Sequence, residues 1–249
     1  CVYPDGPEDI LIGHPHPEPG KCFRTSMVAP WKKVVSIAPW NGSEEYRRDQ
    51  EYVWKRVDHH FAICGAGWWP SNKPSLIYSS PTRPATRLDM AIDPQYFPPL
   101  KPSYNPPGER QFLYIGCTVP IKGTEYLGEL VGKTKPGEPF FGHIGYGHIP
   151  SATAHGYLDL TTHEGRAIVA QYDYLIMPGI HDANPTTVLE AMAWGLIPVL
   201  STGCGYVDGD YYGYKLARDI EKDSVLISQL QRADETTLVG LAHRNREMV

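Results

Sequence analysis

The 249-residue chain is poor in the features that mark several large protein classes. No stretch approaches the roughly 20 consecutive apolar residues of a membrane-spanning helix, and no charged-then-apolar leader pattern opens it. The five cysteines, Cys1, Cys22, Cys64, Cys117 and Cys204, are scattered, show no metal-ligand spacing and cannot all pair, so a reducing cytoplasm is the expected setting. Basic charge is not in excess: 23 Lys and Arg against 28 Asp and Glu leave a net charge of −5, which speaks against a broad nucleic-acid face. Neither Ser80 nor Ser201 lies in a Gly-x-Ser-x-Gly elbow, so a hydrolase triad has no support. Gly145-Tyr-Gly147 lacks the third glycine of a dinucleotide fingerprint, which disfavours hydride transfer. His14, His16, His59 and His60 have no acidic or cysteine partner at ligand spacing, and no metal is expected. There is no internal repeat and no low-complexity tract.

What is present is chain enough for one large or two small cores. The 24 prolines and 16 tyrosines, many of them before residue 110, predict long ordered loops. The richest stretch is His181-Asp-Ala-Asn-Pro-Thr-Thr-Val-Leu-Glu-Ala-Met-Ala-Trp-Gly195. Asn184 reads as an N-cap and Pro185 as the first helical residue, where a missing N–H costs nothing. Val188, Leu189, Met192 and Leu196 then share one face. The free amides of Thr186 and Thr187 would point outward, and the partial positive charge of a helix start, worth about 0.3–1 kcal/mol when exposed, suits a diphosphate. Glu190 lies more than one turn further in. A carboxylate there would repel phosphate but can accept both hydroxyls of a ribose, at about 1.5–3 kcal/mol per charge-assisted bond.

Other segments read as a parallel α/β order. Arg110 to Gly116 is a short apolar run ending in glycine, followed by a loop to Lys122-Gly123 and a helical pattern through Thr124, Tyr126, Leu127, Leu130 and Val131. Thr161-Thr-His-Glu164 has the form of a capping box opening a helix toward Tyr172. Tyr174 to Pro178 and Ile197 to Ser201 are apolar runs of strand length on either side of the acidic stretch, as a buried parallel sheet requires. Gly203-Cys-Gly205 closes the last of these with a turn able to approach a phosphate or sugar. Near the N-terminus, Asp9 to Gly13, Lys33 to Ala38 and Phe61 to Gly65 are strand-like, with a helical pattern from Ser43 to Val57.

These motifs, in this order, resemble the retaining glycosyltransferases of the GT-B fold, specifically the large family 4 group. The acid at 182, the proline three residues on, Glu190 and Ala191-Met-Ala-Trp-Gly195 match that family's donor motif, with Asp182 where the family usually has glutamate. Lys122-Gly123 matches a Lys-Gly pair that meets the donor diphosphate, whereas Cys117 stands where an arginine is usual. The loss of one such contact corresponds to roughly a ten- to hundredfold weaker donor. Pro139 to Gly147 resembles the family strand that ends in a Gly-x-Gly turn, Gly156 to Leu160 the next strand, and Arg87 to Phe97 the segment closing the first domain. The proline-rich stretch Pro98 to Pro107 then reads as the connection between domains. Trp68-Trp69-Pro70 offers either a stacking face for an acceptor sugar or, as is commoner for two aromatics after a Gly-Ala-Gly turn, packing at a domain edge.

The resemblance implies an α/β, GT-B-type protein of two Rossmann-like domains with parallel sheets. Residues 1–100 would form a partial acceptor-side domain, and 101–249 the nucleotide-sugar-binding domain. The first domain has about half the usual strands, so it is either short or part of a truncated chain. The implied activity is transfer of a sugar from a nucleotide-diphosphate donor to a hydroxyl acceptor with retention, needing no metal or other cofactor. The expected catalytic set is Asp182, which would hold the donor sugar's hydroxyls, with Glu190 and Lys122. The expected donor-binding set is Gly116, Lys122, Asn184, Pro185, Thr186, Thr187 and Glu190. The acceptor would be a glycan, a lipid or a small-molecule hydroxyl, with a nucleic acid left open, and the expected location is cytoplasmic or peripheral to a membrane. The alternative is a nucleotide-sugar-binding pseudoenzyme or regulatory module without transfer. A GT-B epimerase is a third reading, but the acids and bases it would need on the first domain cannot be located.

Overall fold

The computed structural model describes residues 3–15, 22–39, 52–53, 55–67, 69, 85–134 and 140–249. The chain forms two compact units, Cys1–Met90 and Ala91–Val249. The proline-rich stretch Pro98 to Pro107 belongs to the second.

In the first unit, β1 (Ile10–Gly13), β2 (Lys33–Pro39), β3 (His59–Ile63) and β4 (Ala85–Leu88) lie side by side in chain order, all parallel, with the short helix α1 (Cys22–Ser26) after β1. Strand β2 alternates, turning Val34, Ser36 and Ala38 inward. Strand β3 starts two residues earlier than the Phe61 to Gly65 pattern suggests, because His60 and Ala62 are its buried residues. His60 Nδ1 sits 2.7 Å from Ser36 Oγ, and burial, aided by His59, lowers its pKa to about 4. It is a neutral core histidine near pH 7. The helical pattern of Ser43 to Val57, the Trp68-Trp69-Pro70 run and Ser80 fall wholly or mostly outside the described residues. The Arg87 to Phe97 segment leaves β4 and makes a 3-10 turn at Pro94–Tyr96.

The second unit holds six parallel strands in the order β10-β9-β8-β5-β6-β7. They are β5 (Gln111–Ile115), β6 (Phe140–Ile144), β7 (Thr153–Gly156), β8 (Tyr174–Met177), β9 (Ile197–Ser201) and β10 (Tyr214–Leu216). The helices are α2 (Thr124–Lys133), α3 (His163–Val169), α4 (Thr186–Trp194), α5 (Ile220–Leu230) and α6 (Glu235–Arg246). Strands β8 and β9 are buried along their whole length, which is why they read as unbroken apolar runs. Phe112 stacks on Phe141 at 5.2 Å and on Tyr174 at 4.7 Å, so three adjacent strands share one aromatic layer. From β5 the chain runs outward to β6 and β7, then returns to start β8 on the other side of β5. Such a reversal leaves a crevice beyond the carboxyl ends of the two central strands.

The amino ends of those strands are fixed by one acid. Asp173 is fully buried and accepts from Lys101 Nζ at 3.0 Å, from the Asn105 amide at 3.0 Å, from Asn105 Nδ2 at 2.8 Å and from the Gln111 amide at 2.9 Å. Its own amide donates to Gln111 O at 2.9 Å, and its carbonyl accepts from the Ile197 amide at 3.0 Å. Burial lowers the pKa of Lys101, while Asp173 opposes that shift.

Two sequence expectations need correction here. The strand expected at Gly156 to Leu160 is Thr153–Gly156, and 157–160 forms a loop after it. The cap of α3 is Thr162, whose hydroxyl accepts from the Gly165 amide at 3.1 Å; Thr161 is instead occupied with Asp159, and the helix ends at Val169 rather than near Tyr172. Among the described residues, no helix is long and apolar enough to cross a membrane, and no cluster of three or more His, Cys, Asp or Glu could hold a metal ion.

Replacing Asp173 by alanine leaves the buried ammonium of Lys101 with the Tyr172 carbonyl but no counter-charge, and takes an acceptor from the Asn105 and Gln111 amides and from Asn105 Nδ2. The expected loss is about 3–5 kcal/mol, or roughly 6–20 °C in calorimetric melting temperature. A shift too small to measure would show that the acid is not what fixes the strands.

Candidate functional site

Three loops meet above the crevice. The loop after β5 ends in a 3-10 turn, Pro120–Lys122, capped by Gly123 at φ +69°. The loop after β8 lies against it, with the Ile180 and His181 amides donating to Ile121 O at 2.9 and 3.3 Å. The Asp182 amide in turn donates to Gly203 O at 2.8 Å, in the turn after β9. Only glycine serves at 123, since an added Cβ would sit 2.3 Å from Pro178 O. Arg218 Nη1 donates to that same carbonyl, and the guanidinium lies over the Tyr126 ring at 4.8 Å. The turn and the acidic loop thus bring Lys122 and Asp182 into an ion pair, with side chains 27% and 13% exposed.

Helix α4 follows directly. Its N-cap is Pro185, at φ −66° and ψ 118°, not Asn184. The proline ring fixes a φ that suits either position, and the extended ψ makes it the cap. Asn184 makes no capping bond, and its buried Oδ1 has no partner among the described residues. Pro185 O accepts from the Val188 amide at 3.1 Å and from Tyr206 Oη at 3.0 Å, which anchors the helix start. Leu196 lies beyond the helix, after Gly195 turns left-handed at φ +95°. The helix is buried on nearly every side, and its only partly exposed residues are Thr186, Thr187 and Glu190. Those three share one face of the first turns.

That face opens on a cavity of about 320 Å³ whose walls include Gly116, Cys117, Tyr146, Tyr157, Thr187 and Glu190. The Thr186 and Thr187 amides head the helix, where no intrahelical acceptor exists. Glu190 receives no hydrogen bond from the described residues, and burial raises its pKa above the usual carboxylate value. Backbone closes one wall: an added Cβ on Gly145, at φ +139°, would sit 2.1 Å from Gly116 O. His143 Nε2 donates to Gly116 O at 2.8 Å and holds it there. Of the residues singled out in the sequence, Gly116, Thr187 and Glu190 therefore line one cavity, while Lys122 and Asp182 pair with each other on the adjoining loops and do not form its walls.

Two residues escaped sequence reading. Tyr146 and Tyr157, each 67% exposed, stack at 5.2 Å with an interplanar angle of 16° on the cavity rim. The available signal was a tyrosine directly after a glycine at the end of each of two neighbouring strands. Cys117 is exposed, whereas Cys64 and Cys204 are buried, with thiol pKa values pushed up to about 11 by that burial.

No protein-family profile matches the chain, and no curated protein matches it. Among solved structures, it is similar to TarM, with 14% identity over 96% of this chain and 51% of that one at a TM-score of 0.66. It is also similar to the pneumococcal O-GlcNAc transferase GtfA in complex with UDP and GlcNAc, with 14% identity over 86% and 49% of the two chains at 0.62. A third similar structure is sucrose-phosphate synthase from Thermosynechococcus elongatus, with 14% identity over 88% and 63% at 0.68. The chain spans about half the length of TarM and GtfA. The fold is α/β with two parallel sheets, and its structural neighbours are GT-B glycosyltransferases.

The raised pKa of Glu190 sets a stability prediction. A carboxylate that is harder to ionise in the folded chain penalises folding above its folded pKa and imposes nothing below its unfolded value, about 4.3. Glu190→Gln should therefore melt higher than the parent at neutral pH, with the difference shrinking toward about pH 4. A variant that melts lower at neutral pH would mean that Glu190 has a stabilising partner.

Proposed function

We propose that the chain binds a nucleotide-diphosphate sugar and transfers its sugar to a hydroxyl acceptor with retention, as a family 4-like glycosyltransferase. One observation carries the reading: the first turn of α4, at Thr187, and a carboxylate one turn on, Glu190, with no hydrogen-bond partner among the described residues, share a cavity at the point where the strand order reverses. This reading assigns residues 101–249 to the donor and residues 1–100 to the acceptor side. The GtfA structure, which contains UDP and GlcNAc, supports a donor of this class.

The Thr186 and Thr187 amides, with Lys122, stabilise the negative charge that develops on the departing diphosphate. Glu190 accepts both ribose hydroxyls, and Asp182 the hydroxyls of the donor sugar. Gly116 and Gly145, both half-buried, make part of the cavity wall from main chain, and the Tyr146–Tyr157 pair offers a flat aromatic rim. The leaving phosphate takes the acceptor's proton on the face from which it departs, which gives retention without an added base, metal or cofactor. The acceptor is a glycan, lipid or small-molecule hydroxyl, and the setting cytoplasmic. Cys117, where an arginine is usual, favours the second reading, a donor-binding module without transfer.

A thermal-shift panel of nucleoside diphosphates and their sugars tests the binding. A true donor at 100 times its dissociation constant adds about 2.7 kcal/mol, and Glu190→Ala should raise that constant about tenfold or more. The same donor should slow alkylation of Cys117. Slow release of nucleoside diphosphate in the absence of acceptor separates a transferase from a pure binder. If no member of the panel shifts the melting temperature, the assignment fails.

A further inference from the structure

The ion pair between Lys122 and Asp182 joins two groups to which the proposed function gives separate tasks, one on the diphosphate and one on the sugar. Without ligand, each already satisfies the other. The backbone at both is held in place, since Lys122 ends a turn capped by Gly123 and the Asp182 amide is tied to Gly203 O at 2.8 Å, so only the side chains can part. Asp182, with a side chain only 13% exposed, has little water to fall back on when its cation leaves.

A diphosphate that draws Lys122 to itself leaves the Asp182 carboxylate uncompensated. A sugar brings hydroxyl donors to that carboxylate, while a bare nucleoside diphosphate brings none. Resting on the nucleotide-sugar reading of the site, we propose that the Lys122–Asp182 pair is a selectivity device: it makes the site favour the sugar-bearing donor over the free nucleoside diphosphate. The discrimination comes from the pair that must be broken, a penalty that only the correct ligand offsets. The same pair favours release of the nucleoside diphosphate after transfer, because Asp182 then reclaims Lys122.

Calorimetric titration of UDP and UDP-N-acetylglucosamine, or of the matched pair that shifts melting most, into the parent, Asp182→Asn, Lys122→Met and the double variant tests this. Asp182→Asn should tighten the nucleoside diphosphate by about tenfold and reduce the advantage of the sugar nucleotide. In the Lys122→Met background the same substitution should give no gain. If Asp182→Asn tightens both ligands in both backgrounds, simple removal of repulsion is at work and the device does not exist. If it tightens neither while the parent binds, the device is likewise absent. A parent that binds no nucleotide overturns the reading of the site itself. Asp182→Ala serves as a second variant should the asparagine restore a bond to Lys122, and melting curves check that each variant folds.

Discussion

A single buried carboxylate, Asp173, sets the larger sheet. It ties the first residue of β5 to the foot of β8, accepts through its carbonyl from the first residue of β9, and grips Lys101 and Asn105 of the segment that leads in. Parallel strands have no hairpin to set their register, so a polar group that pins three of them at one end fixes where all three finish at the other. The loops that leave those far ends carry Lys122, Asp182 and the Gly203 turn. A fully buried acid is costly unless its oxygens are all engaged, and here four donors meet them.

At the upper end the same physics is left incomplete. Among the described residues no side chain caps the start of α4 and none bonds the carboxylate of Glu190, although the helix is otherwise buried. The helix start favours negative charge, yet Glu190 lies beyond its reach and is strained by desolvation instead. A carboxylate held in this condition costs the fold stability.

The sheet was legible because burial on both faces writes itself as unbroken apolar runs, as in Tyr174 to Met177 and Ile197 to Ser201. Lys122-Gly123 stood out only through the family resemblance; the left-handed φ and the neighbouring Pro178 carbonyl that require glycine at 123 come from tertiary packing and leave no local signal. Local polar choices were also less legible than the sheet. Asn184 and Pro185 both suit the start of a helix, and only the ψ of Pro185 separates cap from first turn. At 161 and 162 two adjacent threonines compete for one cap, and the claim of Asp159 on Thr161 decides between them. Strand β7 lies at a sheet edge with little buried side chain, so its periodicity carried no signal. The pairing of Lys122 with Asp182 joins residues 60 apart and depends on three loops closing together, which no local pattern encodes.

The near contact of Gly145 with Gly116 O divides the cavity into a part that can vary and a part that cannot. A methyl group at 145 would collide with main chain, so no substitution there can reshape the wall. Whatever retunes the choice of occupant must act from the rim, through positions such as 117, 146 and 157, whose side chains stand largely in solvent and can be exchanged without disturbing the scaffold. Diversification of such a pocket would proceed from its edge inward, with the floor as its unchanging template.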